Sequence, residues 1–352
     1  MLIYESPVGR KSRSSEGRPE MTNPVPMVEV WRGEFLESVH HGHAVICDDT
    51  GQIVQAWGDP DAVILPRSSA KMIQALPLME SGAADAARLT TEQLALACAS
   101  HQGAHIHTDR VQHWLADLGM TDDDLRCGPE FPRDTDCAHE MIRAYGVPCQ
   151  YHNNCSGKHA GFLTLTRHLG AGADYVDPAH PVQKAILNTF EEVTGETSPG
   201  YGIDGCSAPN FATTLHGFAR AMGRFSIGDA DSSDTRTRAM GQLVNAMAKH
   251  PDLVAGEGRA CTELMRATNQ RVAIKTGAEA VFIAILPEQK RGVALKITDG
   301  ASRASECAMA SILVKLGALD PDHPATLKRR NAPIANRRDI VTGFIRPAKA
   351  LI

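Results

Sequence analysis

Strand-forming runs stand at the two ends of this chain and helical patterns fill the middle, a division that limits the fold more than any other feature. Near the start, Val28 to Trp31, Ser38 to Cys47 and Gln52 to Trp57 carry strand patterning. Asp48-Asp49-Thr50-Gly51 supplies the turn for a hairpin between the last two. Near the end, Val272 to Thr276, Ala280 to Ile285 and Gly292 to Ile297 read as strands, and 338–345 offers an edge strand. Between them, periodic apolar residues predict helices over Thr108–Leu118 with Thr108 as cap, over 182–194 behind Pro181, and over 233–250. Residues 120–155 read as loop-rich, and a last helix covers about 302–316. The simplest solution is an α+β fold with one mainly antiparallel sheet built from both chain ends. Its sheet segments run over about 27–66 and 268–345, with a helical region of about 67–267 inserted, all within a single domain spanning 27–352.

Composition narrows the setting. A chain of 352 residues with 43% hydrophobic and 22% charged side chains can bury a full core. The net charge of −5 gives no footprint for nucleic acid or for an anionic membrane surface. No apolar run reaches the eighteen or so residues that a membrane-spanning helix requires. The nine cysteines are odd in number and scattered, which predicts reduced thiols in a cytoplasmic protein rather than a disulfide framework. Residues 1–26 read as a disordered extension; the first twenty have charges and serines but no apolar core, so they do not form a secretory signal.

Chemistry concentrates first at Arg67-Ser68-Ser69-Ala70-Lys71, just after Pro66 and before an apolar helical run. If Ser68 lies in the first helical turn, Lys71 is three residues on along the same face. A neutral lysine there would take the proton that keeps a serine from being nucleophilic. A helix start with Ser as cap and a solvated Lys would explain the same residues. Lys275-Thr276-Gly277 follows on a strand, so its lysine is a cation presented at a sheet edge. S-x-x-K followed far downstream by K-T-G is the pattern of penicillin-binding proteins and class A β-lactamases. Ser100, at the end of a helix in Ser100-His101-Gln102, could supply the third element of that pattern. Cys155-Ser156-Gly157-Lys158-His159 and Cys206 leave two further readings open. Two thiolates with a lysine or histidine would hold Zn²⁺, and a cysteine beside His159 would be a nucleophile. Inert buried thiols account for the same cysteines.

Six strings resemble one family when taken together: RSSAK (67–71), ALACASH (95–101), NNCSGKHAG (153–161), IDGCSAPNF (203–211), HPDLVAGEGRACTELM (250–265) and IKTGAEA (274–280). In order and in content they are similar to the class 3, rhizobial-type asparaginase II enzymes, from about residue 28 to about 300. That resemblance implies a fold like that of serine β-lactamases and penicillin-binding proteins, and hydrolysis of L-asparagine to L-aspartate and ammonia. It implies a homodimer with two Ser–Lys tandems, Ser68 with Lys71 and Ser100 with Lys275. It implies zinc on Cys155, Lys158 and Cys206, supporting substrate binding rather than chemistry, and substrate-side roles for Arg67, His159, Asp204 and Cys261. A penicillin-interacting serine hydrolase is the alternative that the two lysine motifs alone would fit. A zinc-binding module without turnover is a third, and it leaves both serine–lysine pairs without a role.

Overall fold

The structure, a computed structural model, describes residues 23–352. Expectations for residues 1–22 lie outside the described residues, but the expected extension to residue 26 ends too late. The first strand already begins at Val25. Val28 and Val30 are buried at alternate positions, Met27 is buried beside them at a bulge in the pairing with the next strand, and this burial starts the sheet there.

The sheet has eight strands: β1 (Val25–Arg32), β2 (Phe35–Asp48), β3 (Ile53–Trp57), β4 (Ala273–Thr276), β5 (Val281–Leu286), β6 (Arg291–Ile297), β7 (Ala332–Ala335) and β8 (Val341–Pro347). Their spatial order is β7-β8-β1-β2-β6-β5-β4, with β3 paired to the second half of β2, and every pairing is antiparallel. The sheet therefore joins both chain ends, as the sequence predicts. The expected edge strand over 338–345 differs in one respect. It lies inside the sheet as β8, between β1 and β7, and the shorter β7 takes the edge. Asp48 closes the β2–β3 turn through its carboxylate, which accepts from the backbone N–H groups of Thr50 and Gln52.

The helices, in chain order, are α1 (Thr91–Ala97), α2 (His105–Asp117), α3 (Thr135–Arg143), α4 (Ser156–His168), α5 (Pro181–Thr194), α6 (Leu215–Phe225), α7 (Thr235–Lys249), α8 (Ala260–Ala267) and α9 (Ser302–Lys315), besides shorter turns. Thr90 and Gln93 form a capping box on α1, and His180 caps α5 ahead of Pro181. Helix α2 starts at His105 rather than at Thr108, whose hydroxyl turns back to Ala104 instead of capping. Helix α3 falls where the sequence reads as loop-rich: none of its residues is fully buried, and Cys137, Ala138 and Met141 are half-buried.

All six residues of β5 are buried, which requires cover on both faces, and α6 and α9 pack on this strand. Helix α6 sits so close to β6 that a Cβ on Gly292 would lie 2.0 Å from the Gly223 nitrogen. Away from the sheet, α1 packs against both α4 and α7. The first catalytic candidates lie where this helical block meets β4. All nine cysteines are free, in agreement with the expectation of reduced thiols.

Candidate active site

The chain leaves the short strand Val63–Ile64 and enters a 3₁₀ turn, Arg67–Ala70, which continues into the helical turn Lys71–Gln74. Arg67 holds a left-handed backbone, φ 55°, a conformation that costs energy for a residue with a Cβ. Three contacts hold it there. Its N–H donates to Asn210 Oδ1 at 3.2 Å, and its Nε and Nη2 donate to Asp204 Oδ1 at 2.8 and 2.7 Å. Ser68 follows directly, half-buried and on a cavity wall. Ser69 is different: it is fully buried and its hydroxyl donates to Pro66 O at 2.5 Å. The two adjacent serines are thus separated by their environments.

Lys71 is buried, and its amine is engaged by other groups. It donates to Ala99 O and to Cys155 Sγ, the latter at 3.2 Å, and no hydrogen bond joins it to Ser68. The expected tandem of Ser68 with Lys71 is therefore a neighbourhood in sequence but not a hydrogen-bonded pair. The second tandem is assembled. Lys275 Nζ, fully buried on β4, donates to Ser100 Oγ at 2.8 Å and to Thr276 O at 2.7 Å. Burial pushes the Lys275 ammonium down to about 7; the Lys71 charge adds to that fall and the Cys261 thiol opposes it.

Close packing brings the two serine-bearing segments to β4. Gly277 lies so near the Ser68 turn that a Cβ there would sit 2.7 Å from Pro66 O and 3.1 Å from Ser69 N. Ser100 is fixed through its own N–H to Val254 O at 2.9 Å, and its neighbour His101 is tied to α4. The Gly103 N–H donates to His101 Nδ1, so Nε2 carries the proton and donates to Ser156 Oγ at 2.9 Å. Cys261 lies beneath β4, accepting from Thr276 N at 3.2 Å, and burial raises its thiol.

Cys155, Lys158 and Cys206 converge as a second cluster. Lys158 Nζ is 3.1 Å from Cys206 Sγ, and all three residues are buried. A hydrogen bond from Cys155 holds Cys206 well below the ordinary thiol range against the effect of burial, and the Lys158 charge assists. That same bond, followed by burial, raises Cys155. Burial acts to lower Lys158, but the two sulfurs outweigh it and raise it. Without a metal the cluster is thus a thiolate, a thiol and an ammonium. Two soft sulfurs on one cavity wall, with the Lys158 amine beside Cys206, are donors that suit Zn²⁺. Binding would release the protons of Lys158 and Cys155.

Ser68, Ser100, Arg67, Asp204, Cys155, Cys206 and Thr276 line one cavity of about 520 Å³. Burial raises the Asp204 carboxyl, but Lys158 and Arg67 outweigh it and hold it below its ordinary value. His159 does not line this cavity. It is fully buried, Nδ1 meets Tyr175 OH at 2.9 Å, and burial with the Lys158 charge keeps it neutral. The cavity wall also includes Glu130, Arg133, Asn154, Arg259 and Ser302. Of these, Asn154 and Arg259 lie within the recognisable strings, while nothing in the local sequence marks Glu130, Arg133 or Ser302. A larger cavity of about 710 Å³ opens elsewhere, between α1, α2 and α4, and none of these candidates lines it.

The sequence model of the family described as L-asparaginase II matches residues 28–347. A search of curated proteins finds no match. Among solved structures, the chain is similar to Mglu in its native form, at 12% identity and TM-score 0.46 over 80% of this chain and 66% of that one. It is also similar to a β-lactamase from Mycobacterium bovis, at 12% identity and TM-score 0.40 over 79% and 95% of the two chains. A β-lactamase/D-alanine carboxypeptidase from Pseudomonas syringae gives 12% identity and TM-score 0.41 over 78% and 93%.

Proposed function

We propose that this chain, which belongs to the L-asparaginase II family, hydrolyses the side-chain amide of L-asparagine to L-aspartate and ammonia by acyl transfer through a serine. The observation that carries this reading is the Ser100–Lys275 hydrogen bond at 2.8 Å, beside a cavity shared with Ser68 and with the Arg67–Asp204 pair. A lysine near neutrality can accept a proton in one step and return it in the next.

Ser68 is the proposed nucleophile. It is more open to the cavity than Ser100, which is only 7% exposed, and it follows the strained Arg67. As the second residue of a helical turn, its N–H is among those without an intrahelical acceptor, so it is free to face a developing oxyanion. Ser68 Oγ attacks the amide carbon while its proton passes through Ser100 to Lys275. The collapsing tetrahedral intermediate releases ammonia, to which Lys275 returns that proton. Water then attacks the acyl-enzyme with Lys275 again accepting a proton, which returns through Ser100 to Ser68 Oγ as the acyl C–O bond breaks and aspartate leaves. Lys71 keeps Ala99 and Cys155 in place beside the reacting serine, and to act as base it would first have to give up one of these contacts. Asp204 suits the substrate ammonium and Arg67 its carboxylate, so substrate would open the Arg67–Asp204 pair on binding. Cys155 and Cys206 on the cavity wall, with Lys158 beside Cys206, are the residues that would hold zinc, which when bound would supply a fixed positive centre for the same carboxylate.

The test is ammonia release from L-asparagine by wild type, Ser68→Ala and Ser100→Ala, with the trapped adduct mapped by peptide mass spectrometry. The expected adduct is on Ser68; one on Ser100 would overturn that assignment while leaving the amidase reading intact. Turnover of nitrocefin without turnover of asparagine would overturn the amidase reading itself. The homodimer implied by the family is part of the proposal, and sedimentation velocity of the purified chain tests it.

A further inference from the structure

Helix α3 poses a problem that the amidase site does not solve. It buries none of its nine residues, yet it follows directly on the segment that walls the cavity with Glu130 and Arg133. Its N-terminus is fastened: Arg133 N and Asp134 N both donate to Gln102 O, at 2.8 and 2.9 Å, and Asp134 caps the helix through Cys137 N. Beyond that cap, only the half-buried Cys137, Ala138 and Met141 hold its body against the protein.

Three metal-binding side chains meet on its inner flank. His105 is the first residue of α2, and Cys137 and Glu140 stand three residues apart on one face of α3. His105 Nε2 and Glu140 Oε2 are 3.1 Å apart, and the donor atoms of all three lie within 4.8 Å of one another. Among the described residues no other group of three or more His, Cys, Asp and Glu donors converges in this way. Bonds of about 2.3 Å to sulfur and about 2.0–2.2 Å to nitrogen and oxygen put tetrahedral ligands roughly 3.3–3.8 Å apart. The His–Glu pair already has nearly that spacing, and rotation of the exposed His105 and Glu140 side chains toward half-buried Cys137 closes the remainder.

We propose that His105, Cys137 and Glu140 form a second zinc site, distinct from the Cys155–Lys158–Cys206 cluster, that clips α3 to α2. One imidazole, one thiolate and one carboxylate are donors that Zn²⁺ takes readily, and water completes the tetrahedron at this exposed position. Binding displaces the thiol proton of Cys137 to solvent, with no change of redox state. The clip links α2, which begins five residues after Ser100, to the helix that continues the cavity wall. The surface ion pair of His105 with Glu140 is the competing explanation of the same contact.

The test uses the full chain, stripped of metal by a chelator and then titrated with ZnCl₂, reading the rate of Cys137 alkylation by iodoacetamide from mapped peptides. Zinc is expected to slow alkylation of Cys137 at least tenfold in wild type and in a Cys155→Ser/Cys206→Ser variant. It is expected to leave that rate unchanged in His105→Ala. The His105 side chain is largely exposed and outside the core, so this variant should keep its fold, and circular dichroism checks that it does. Equal zinc protection in wild type and His105→Ala, or none in wild type, leaves only an ion pair and overturns the proposal.

Discussion

Lys275 is fully buried and its amine is pushed down to about 7, whereas an unfolded chain would hold the proton to about 10.4. A base that must be neutral works above its own pKa. We therefore expect kcat/KM on asparagine to fall with decreasing pH below about 7. Lys275→Met, which keeps most of the volume, should lose about 10²- to 10⁴-fold and remove that limb from its residual profile. A residual profile that still bends at the same pH would assign the limb to another group. Linkage gives the sign for stability: between about 7 and 10 the unfolded chain binds the extra proton, so this lysine costs less stability as pH rises through that window. The adjacent serines separate by burial. Ser69→Ala should keep turnover and cost about 1 kcal/mol in urea denaturation, because only the bond to Pro66 O is lost. Ser68→Ala should lose turnover with little change in stability, since its hydroxyl faces the cavity. A Ser69→Ala variant that is inactive but fully stable would exchange the two roles.

Among the elements, those with a buried stripe were legible in the sequence, and those whose placement depends on partners far along the chain were not. Helix α5 matches its apolar periodicity because it buries one face, and α9 is legible as a continuous run of small and apolar residues buried nearly all round. Helix α3 is only half-buried, through Cys137, Ala138 and Met141, and lies in a segment whose sequence reads as loop-rich. The Ser–Lys pairs show the same limit at the site. Lys71 is three residues from Ser68, which suggests a contact, yet its amine is captured by Ala99 and Cys155, which come from separate segments. Ser100 and Lys275 are 175 positions apart and are joined by the sheet edge, not by local spacing. His159 sits in a recognisable string but behind Lys158, and no local pattern reveals which side of a helix faces a cavity. A close element contact is also invisible in sequence: α6 meets β6 with Gly223 against Gly292. Gly292→Ala would place a methyl 2.0 Å from the Gly223 nitrogen and should cost about 1–3 kcal/mol or more, read as a lower urea midpoint. A midpoint equal to wild type would mean that α6 can shift on the sheet without penalty.

At the scale of the whole molecule, a sheet made from both ends makes the far terminus a structural part of the near one. β8 pairs with β1 from Val28–Pro347 to Arg32–Gly343, and the chain continues past β8 with contacts that reach back to the first hairpin. Ala348 N donates to Met27 O at 2.9 Å, Trp57 Nε1 donates to Ala350 O at 2.8 Å, and Leu351 is fully buried. None of these residues lines the cavity, so their effect on activity should pass only through folding. Removing residues 348–352 deletes the Leu351 side chain from the core and leaves the Trp57 indole N–H without its acceptor. Deleting one such leucine costs about 2–5 kcal/mol, and the orphaned donor adds about 1–3 kcal/mol. A total of that size approaches the stability of an ordinary domain. The shortened chain should therefore unfold at much lower urea concentration, with KM for asparagine unchanged in whatever fraction stays folded. Trp57→Phe separates the two contributions, because it removes the donor and keeps Leu351 buried; it should be nearly as stable as wild type. If the shortened chain instead kept its urea midpoint, the tail would be an ornament on the sheet rather than a part of it. If it kept the midpoint but changed KM, the tail would have to reach the site by a route that these contacts do not contain.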